Sequence, residues 1–467
     1  MPFHSYISQP AVAEPQYGFP DLDSDADEFS AFVAAASAYV ASNSLQPSGG
    51  VSPTHYGDGG SGLWTTASSY RYNTGAVNDQ GLIAFPPHSQ TSFYTLDTVT
   101  QTPSVFTRPE ITFSGFSRWI STVWCPVTKK FFYIPDYESR YVSWHPETDV
   151  WQVFTNLAAS ASMQQSRYAR FVNHPETGPL ILIYTASNTQ VRVLGTSNNI
   201  VGTLNVYGSP GVTGLMNIKR WCLGPGFVSY GCTSDAIYAL IYIPSSYYFY
   251  CYPITTASAI GATNYFGDSV TTNTGFKLGA DGCMYAWPSS ATDLLVAQYA
   301  IRFNPTTGAC DRFAMDGEPP NSLIDYSKSL VVTGIHSGES GGSIQPPTVM
   351  PDGRFVAPSY YPKKVIVNGV TAYNSFAPFM WNPAITGWQN TAATGAYNNP
   401  WGAFASQWGV HREGVIGADG CFYPAPQRIS PANSQGNPES YFAYAGRFSS
   451  PPDNLPPAQF YASHYLT

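Results

Sequence analysis

Charged side chains are scarce in this sequence. Only 11% of its 467 residues are Asp, Glu, Lys or Arg, compared with about a quarter in an average soluble protein. The 21 basic residues are outnumbered by 29 acidic ones, and basic residues never run beyond pairs such as Lys129-Lys130 and Lys363-Lys364. A nucleic-acid surface needs a basic face to offset phosphate charge. We therefore expect no nucleic-acid partner.

Long apolar stretches and a basic leader are also missing. No apolar run reaches the roughly 18 residues that a membrane helix needs, so we expect no membrane insertion. Residues 1–20 contain no basic region followed by an apolar core, which a secretory signal peptide requires. These absences predict a protein made in the cytoplasm of its host cell.

Cysteine and histidine do not form metal-binding patterns. The seven Cys are odd in number and include no CxxC pair, and the eight His include no HxH or HxxxH pair. This argues against a disulfide framework and against a zinc site. We expect free Cys packed as small apolar residues, and neither a metal nor a cofactor.

Catalytic motifs are equally rare. Residues 338–342 match the G-x-S-x-G nucleophile pattern, but that pattern needs a helix directly after it. Pro346-Pro347 follows closely, so we interpret the match as a loop. No GxxxxGK[ST] phosphate loop is present. The sequence therefore predicts no catalytic residue.

Aromatic residues, in contrast, are abundant at 15%, with 33 Tyr and 27 Phe. This content supports a large apolar core and argues against global disorder. Aromatic residues, Val and Thr also favour strands over helices.

Two segments of the chain match closely. Residues 279–288 have the sequence GADGCMYAWP and residues 417–426 have GADGCFYPAP, with a weaker copy at 350–358. Asp-Gly is a preferred tight-turn pair, because Gly accepts positive φ and Asp bonds its own backbone. Its recurrence favours a structural turn over a metal or catalytic carboxylate. The predicted turn residues are Asp281, Gly282, Asp352, Gly353, Asp419 and Gly420.

Four further segments repeat the order of turn, aromatic or β-branched strand, and often Pro. They bring the number of candidate repeat units to seven. Each unit is long enough for four short strands. The four segments are 79–86, 128–135, 176–184 and 234–240.

A second recurring element predicts hairpins in which Pro presets φ at the turn. Residues 144–151 have the sequence WHPETDVW, and related segments occur at 173–178, 303–308 and 381–388. Here the chain resembles kelch-type β-propellers, whose blades carry an aromatic-x-Pro-x-Thr-x-x-Trp hairpin. The resemblance covers about residues 70–450.

Together the repeats predict an all-β fold, a β-propeller of about seven blades over residues 61–450. A jelly roll or two stacked sandwiches is the competing architecture, but it does not explain seven similar units. Residues 1–60 are predicted to form an arm with one helix and a Gly/Ser/Pro linker, and residues 451–467 a Pro-rich tail.

The predicted helix begins near Ser24 and ends near Asn43. Its apolar face carries Phe29, Phe32, Val33 and Val40 at helical spacing. This face either packs on the propeller of the same chain or docks on a neighbouring subunit. We interpret it as a partner-binding face.

Loops rich in Tyr, Ser, Asn and Gly suit recognition surfaces. Candidates are residues 246–250, 359–361 and 397–401, each of which could equally be a packed strand or loop. The expected function is non-enzymatic: a virion structural protein of a tailed bacteriophage, as tail appendage, receptor-binding protein or head decoration. Its expected partners are other virion proteins, further copies of itself, and a host-surface glycan or receptor. The alternative is a propeller that binds or cleaves surface polysaccharide.

Overall fold

The computed structural model describes 28 stretches of the chain, almost all of them strands. They are residues 52–56, 75–87, 92–108, 111, 119–135, 141–154, 166–174, 178–185, 190–196, 201–208, 221–224, 228–232, 236–243, 248–256, 276–279, 282–286, 299–314, 348–349, 355–357, 363–367, 370–374, 379–381, 388–390, 407–409, 412–417, 422–425, 427–431 and 442–449. The predicted helix lies outside them.

Strand β1, Ser52–Tyr56, precedes three antiparallel four-stranded units. The first contains β2 Ala76–Val77, β3 Leu82–Phe85, β4 Ser92–Asp97 and β5 Thr102–Thr107. The second contains β6 Trp119–Cys125, β7 Lys130–Pro135, β8 Tyr141–His145 and β9 Val150–Phe154. The third contains β10 Ser166–His174, β11 Gly178–Thr185, β12 Gln190–Gly195 and β13 Val201–Gly208.

Units four and five repeat this order. The fourth contains β14 Cys222–Leu223, β15 Ser229–Cys232, β16 Ala236–Ile243 and β17 Tyr248–Thr256. The fifth contains β18 Lys277–Leu278, β19 Met284–Ala286, β20 Tyr299–Phe303 and β21 Cys310–Ala314.

The last two units carry additional strands. The sixth contains β22 Thr348–Val349, β23 Phe355–Ala357, the inserted hairpin β24 Lys363–Val367 and β25 Val370–Asn374, β26 Phe379–Trp381 and β27 Trp388–Asn390. The seventh contains β28 Gln407–Gly409, β29 Arg412–Ile416, β30 Phe422–Ala425, β31 Gln427–Pro431 and β32 Phe442–Ser449. Its path β29-β30-β32 ends on β1.

The first strands of neighbouring units contact each other around a ring. Contacts link β2 to β6, β6 to β10, β14 to β18, β18 to β22, β22 to β29, and β29 back to β2. Units three and four are joined at their last strands, where β13 and β17 pair in parallel. The fold is a β-propeller, as the repeats predict, and we number its blades 1–7 in chain order.

Ring closure depends on β1. Ser52 pairs with Ser449 and Tyr56 with Ala445, so the N-terminal strand supplies the fourth strand of blade 7. Composition predicts a linker here, and the structure gives these residues a strand instead. The strand tolerates Pro53 because it lies at the sheet edge, where a missing backbone donor costs little.

Apolar residues fill the spaces between blades, which is why strands such as β11 are apolar on both faces. In β10, Phe171 packs toward blade 2 and Val172 toward blade 4. The cluster between blades 2 and 3 contains Val123, Cys125, Phe132, Ile134, Tyr141, Ala169, Phe171, Ile181, Ile183 and Leu194. The cluster between blades 3 and 4 contains Val172, Leu182, Tyr184, Val191, Val206, Trp221, Ala236, Tyr238, Leu240, Phe249 and Cys251.

One hairpin design recurs within the blades. Its fourth residue is Thr and its fifth residue has positive φ, and in three of the four copies the side chain of the first residue accepts one or two backbone N–H groups. Asp97 accepts from Val99 and Thr100 at 2.8 and 3.0 Å. Asn304 does the same for Thr306 and Thr307 at 2.9 and 3.1 Å. The four fifth residues are Gln101, Lys129, Asp149 and Gly308, with φ of 57°, 54°, 50° and 76°.

The repeat segment at 234–240 is displaced by one strand from its counterparts. It lies between the second and third strands of blade 4, whereas most of the others lie between the first and second. The matching hairpin begins at Gly224, whose N–H donates to the Val228 carbonyl at 2.8 Å, as Gly279 donates to Cys283. Gly224 is required because a Cβ there would lie 2.4 Å from the Tyr230 ring. Lacking Asp-Gly, this turn resembles the other copies less.

Segment 173–178 also differs from its predicted relatives. It connects the first and second strands of blade 3, whereas 144–151, 303–308 and 381–388 connect third and fourth strands. In the part of the chain that the structure describes, no helix is long and apolar enough to cross a membrane.

Deleting residues 52–56 should destabilise the ring by about 1–3 kcal/mol, because several backbone hydrogen bonds of about 1 kcal/mol each are lost. Urea unfolding measures the change. Deleting residues 47–51 is the length-matched control and should leave stability nearly unchanged. Equal stability of the two variants would contradict closure by β1.

Replacing Gln101 with Gly should stabilise the fold by about 0.5–1 kcal/mol. A left-handed residue with a Cβ costs about 1–2 kcal/mol, more than the entropy that Gly adds to the unfolded chain. Thr100→Gly in the same hairpin should be destabilising. Thermal unfolding of both variants tests this, and a shift of the same sign in both would refute it.

Candidate interaction surfaces

Strand direction divides the ring into two faces. Because strands alternate in direction, first-to-second and third-to-fourth links leave one edge of every sheet. We call this edge the hairpin face; its described links include 78–82, 97–102, 125–130, 145–150 and 304–309. The other edge, the connection face, carries second-to-third links and the links between blades. The described strands on either side of segments 209–220, 257–275 and 315–347 end and begin at this edge.

Both terminal segments leave from the hairpin face. Strand β32 is the third strand of blade 7, so its end at Ser449 lies on the same edge as Phe422, the start of β30. Ser52 pairs with Ser449. Residues 1–51 and 450–467 therefore join the ring at neighbouring points.

Exposed valines mark the hairpin face of blades 1 and 2. Val99 and Val127 are the third residues of their hairpins and are 69% and 55% exposed, and Val150 is 49% exposed. Blade 1 adjoins blade 7 through β2 and β29. The valines and the two chain ends thus occupy one arc of the face, which we call the valine arc.

Polar bonds hold this arc together. The Lys129 ammonium pairs with the Asp79 carboxylate between the first hairpins of blades 1 and 2. Gln80 Nε2 donates to Glu147 Oε1 at 2.9 Å. The carboxylates of Asp79 and Glu147 thus form polar contacts between blades 1 and 2.

The WHPETDVW hairpin is organised around Asp149. Its Oδ1 accepts the indole N–H groups of Trp144 and Trp151 at 3.0 and 2.9 Å. Its Oδ2 accepts from Arg108 Nη2 at 2.5 Å. The Arg108 guanidinium lies over the rings of Phe106 and Trp151, 5.7 and 5.2 Å from their centroids. The carboxylate thus joins one hairpin to the neighbouring blade.

This environment lowers the pKa of Asp149. The hydrogen bond from Arg108 is the largest cause, and the indole donors of Trp151 and Trp144 act in the same direction. The two oxygens of the Asp149 carboxylate accept hydrogen bonds from three donors, so this carboxylate has a structural role. It is not poised as a general acid or base.

Tyrosines form a second surface at the rim, where β13 and β17 pair. Tyr207 is 43% exposed and meets Tyr248 edge-on at 5.1 Å between ring centroids. Tyr250 stacks on Tyr252 at 5.9 Å, and burial raises the pKa of Tyr250 to about 12. We call these four residues the tyrosine rim.

The structure divides the predicted recognition segment 246–250. Phe249 is buried and packs on Tyr242, whereas Tyr248 and Tyr250 belong to the rim. Residues 246–247 and both other candidates, 359–361 and 397–401, lie outside the described residues.

Most predicted site residues also lie outside the described part. These are Phe29, Phe32, Val33, Val40, Asp281, Asp352, Gly353, Asp419 and Gly420. Gly282 is described: its φ is 77° and its N–H donates to the Gly279 carbonyl at 3.1 Å, as a turn requires.

Sequence reasoning missed the valine arc and Arg108. Val99 and Val127 occupy hairpin tips where polar residues are usual, and that mismatch was a usable signal. No sequence signal marks Arg108, because its partner lies on another blade. Among the described residues, no group of three His, Cys, Asp or Glu could hold a metal ion.

No protein-family model matches this chain, and no curated protein matches it. Several solved structures align with this chain. A streptogramin B lyase aligns with a TM-score of 0.51 at 9% identity, covering 87% of this chain and 100% of the lyase. YCF48 bound to a D1 peptide aligns at 0.49 and 8%, covering 88% and 98%. The β-propeller domain of Cps50 (Swd1) from Myceliophteria thermophila aligns at 0.42 and 8%, covering 81% and 97%. At 9% identity, the likeness to the lyase shows the fold alone.

The Asp149 carboxylate should contribute to the stability of the fold, and this contribution should be lost at acidic pH. Its folded pKa is lowered, so the contribution is present above the unfolded value of about 4 and is lost as pH falls through the folded value. Because the side chain is 60% exposed, the effect is small and screened by salt. The difference in Tm between the parent and Asp149→Asn should be largest near neutral pH and shrink below pH ~4. A constant difference would contradict this role.

Proposed function

We propose that this chain is a non-enzymatic, kelch-like propeller of a virion, a structural or attachment protein of a tailed bacteriophage. It docks on the particle through the hairpin face and its terminal segments. It presents the connection face to a partner or to the host surface.

The observation that carries this proposal is the pairing of Ser52 with Ser449. It joins both terminal segments to the ring on one face, together with the valine arc. Exposed apolar side chains next to a chain end favour a docking surface. The opposite face carries the long connections, where variable recognition segments are expected.

The described polar groups support a structural role over catalysis. Asp79, Asp97, Glu147 and Asp149 all accept or pair within hairpins or between blades. The low charge and high aromatic content fit a surface that binds through Tyr, Ser and Asn.

The alternative is binding of a surface polysaccharide, and the tyrosine rim favours it. Exposed Tyr207 and Asn205, whose Nδ2 donates to the Tyr207 hydroxyl at 3.3 Å, offer an aromatic ring beside an amide. In that case Tyr207→Ala would abolish glycan binding, and virion incorporation would be unaffected.

The decisive experiment measures incorporation of variants into particles in the native host. Val99→Asp with Val127→Asp should abolish incorporation, because it places charge on the docking surface. Phe29→Asp with Phe32→Asp should do the same if the predicted helix anchors the chain. Thr306→Asp changes the same hairpin position in blade 5, away from the valine arc, and should incorporate normally.

All variants should first show a parental thermal unfolding profile. Normal incorporation of both charged pairs would rule out attachment by this face and arm. Loss in the Phe pair alone would assign attachment to the helix without the valine arc.

A further inference from the structure

Three basic side chains are buried in the described part of the chain: Arg170, Arg192 and Lys277, which are 1%, 5% and 1% exposed. Burying a charged group is costly unless it is paired and hydrogen-bonded. Burial lowers the pKa of Arg192.

Arg170 is the cation whose surroundings the structure defines. It lies in β10, the innermost strand of blade 3, and its Nη2 donates to Ser229 Oγ of blade 4 at 3.0 Å. Ser229 Oγ in turn lies 3.2 Å from the Tyr184 hydroxyl. The Tyr184 ring stacks on Trp221 at 5.8 Å.

The described hydrogen-bond partner of Arg170 is the uncharged hydroxyl group of Ser229. The described ion pairs, Arg108 with Asp149 and Lys129 with Asp79, lie between blades 1 and 2. Arg170 Nε is buried and has no acceptor. The guanidinium therefore donates to one hydroxyl group, and its Nε–H has no acceptor.

We infer that Arg170 is the anchor of an anion site between blades 3 and 4, and that its ligand is a small carboxylate. The Nε–H and a terminal N–H of a guanidinium form a planar fork that matches the two oxygens of a carboxylate. The hydroxyl group of Ser229, which accepts from Arg170, lies beside it. Because Arg170 is almost fully buried, the ligand is small or is the carboxylate end of a slender group. The same carboxylate chemistry is available from acidic side chains of this chain, so the test separates these sources.

The probe is sodium acetate, titrated against sodium chloride at constant ionic strength. A ligand that binds only the folded state raises Tm with its concentration. Acetate should raise the Tm of the parent and of Arg108→Gln, the control that removes a half-buried guanidinium already paired with Asp149. It should leave the Tm of Arg170→Gln unchanged, with an apparent acetate affinity at least ~10-fold weaker.

Tryptophan fluorescence gives a second readout that does not depend on the stability of the variant. Trp221 lies one ring contact from Tyr184, so acetate should change the emission of the folded parent. Arg170→Lys, which keeps the charge and loses the fork, should respond at least ~10-fold more weakly. The Lys variant keeps the test decisive if the Gln variant does not fold.

Three results would overturn the proposal. An equal response to acetate, sulfate and chloride would show an ionic-strength effect without a site. An equal response in the parent and in Arg170→Lys would show that acetate binding does not require the planar guanidinium fork. No response in the parent, together with destabilised Arg170→Gln that is rescued by removing one acidic residue, would assign the carboxylate to the chain itself.

Discussion

The pairing of β1 with β32 is the constraint on which the ring depends. A propeller packs apolar blade faces against each other, and the last face is covered only when the first and last blades meet. Contacts of β2 with β29 bring those blades together, and β1 holds blade 7 with backbone bonds from the opposite end of the chain. Loss of this pairing would expose the edge of β32 and loosen every interface that the ring holds closed.

Packing between blades and bonding on the hairpin face act together in blades 1 and 2. Phe93 meets the ring of Tyr133 and that of Trp151, each at 4.9 Å between centroids. Above this apolar contact, Arg108 crosses to Asp149. Aromatic packing fixes the distance between the blades, so the ion pair joins side chains whose backbones are already held in place.

Local chemistry explains how much of this could be predicted. Pro146, Thr148 and the left-handed Asp149 define a hairpin by themselves, so its strands follow from sequence. Asp149 as a shared acceptor for Trp144, Trp151 and Arg108 could not be predicted, because Arg108 approaches from another blade. The strand β1 was missed because Pro53 and the flanking Gly and Ser favour a linker until β32 supplies a partner. The parallel pairing of β13 with β17 is likewise set by blade packing, and no local motif encodes it.

The direction of β1 also determines how the ring transmits force. Hydrogen bonds of an antiparallel pair run perpendicular to the strands. A pull on residue 51 away from the hairpin face acts along β1, so it loads all of its bonds to β32 at the same time. Such a shear geometry resists detachment better than one in which bonds break one after another. A propeller attached to another structure through the chain before β1 would bear mechanical load without opening of its ring.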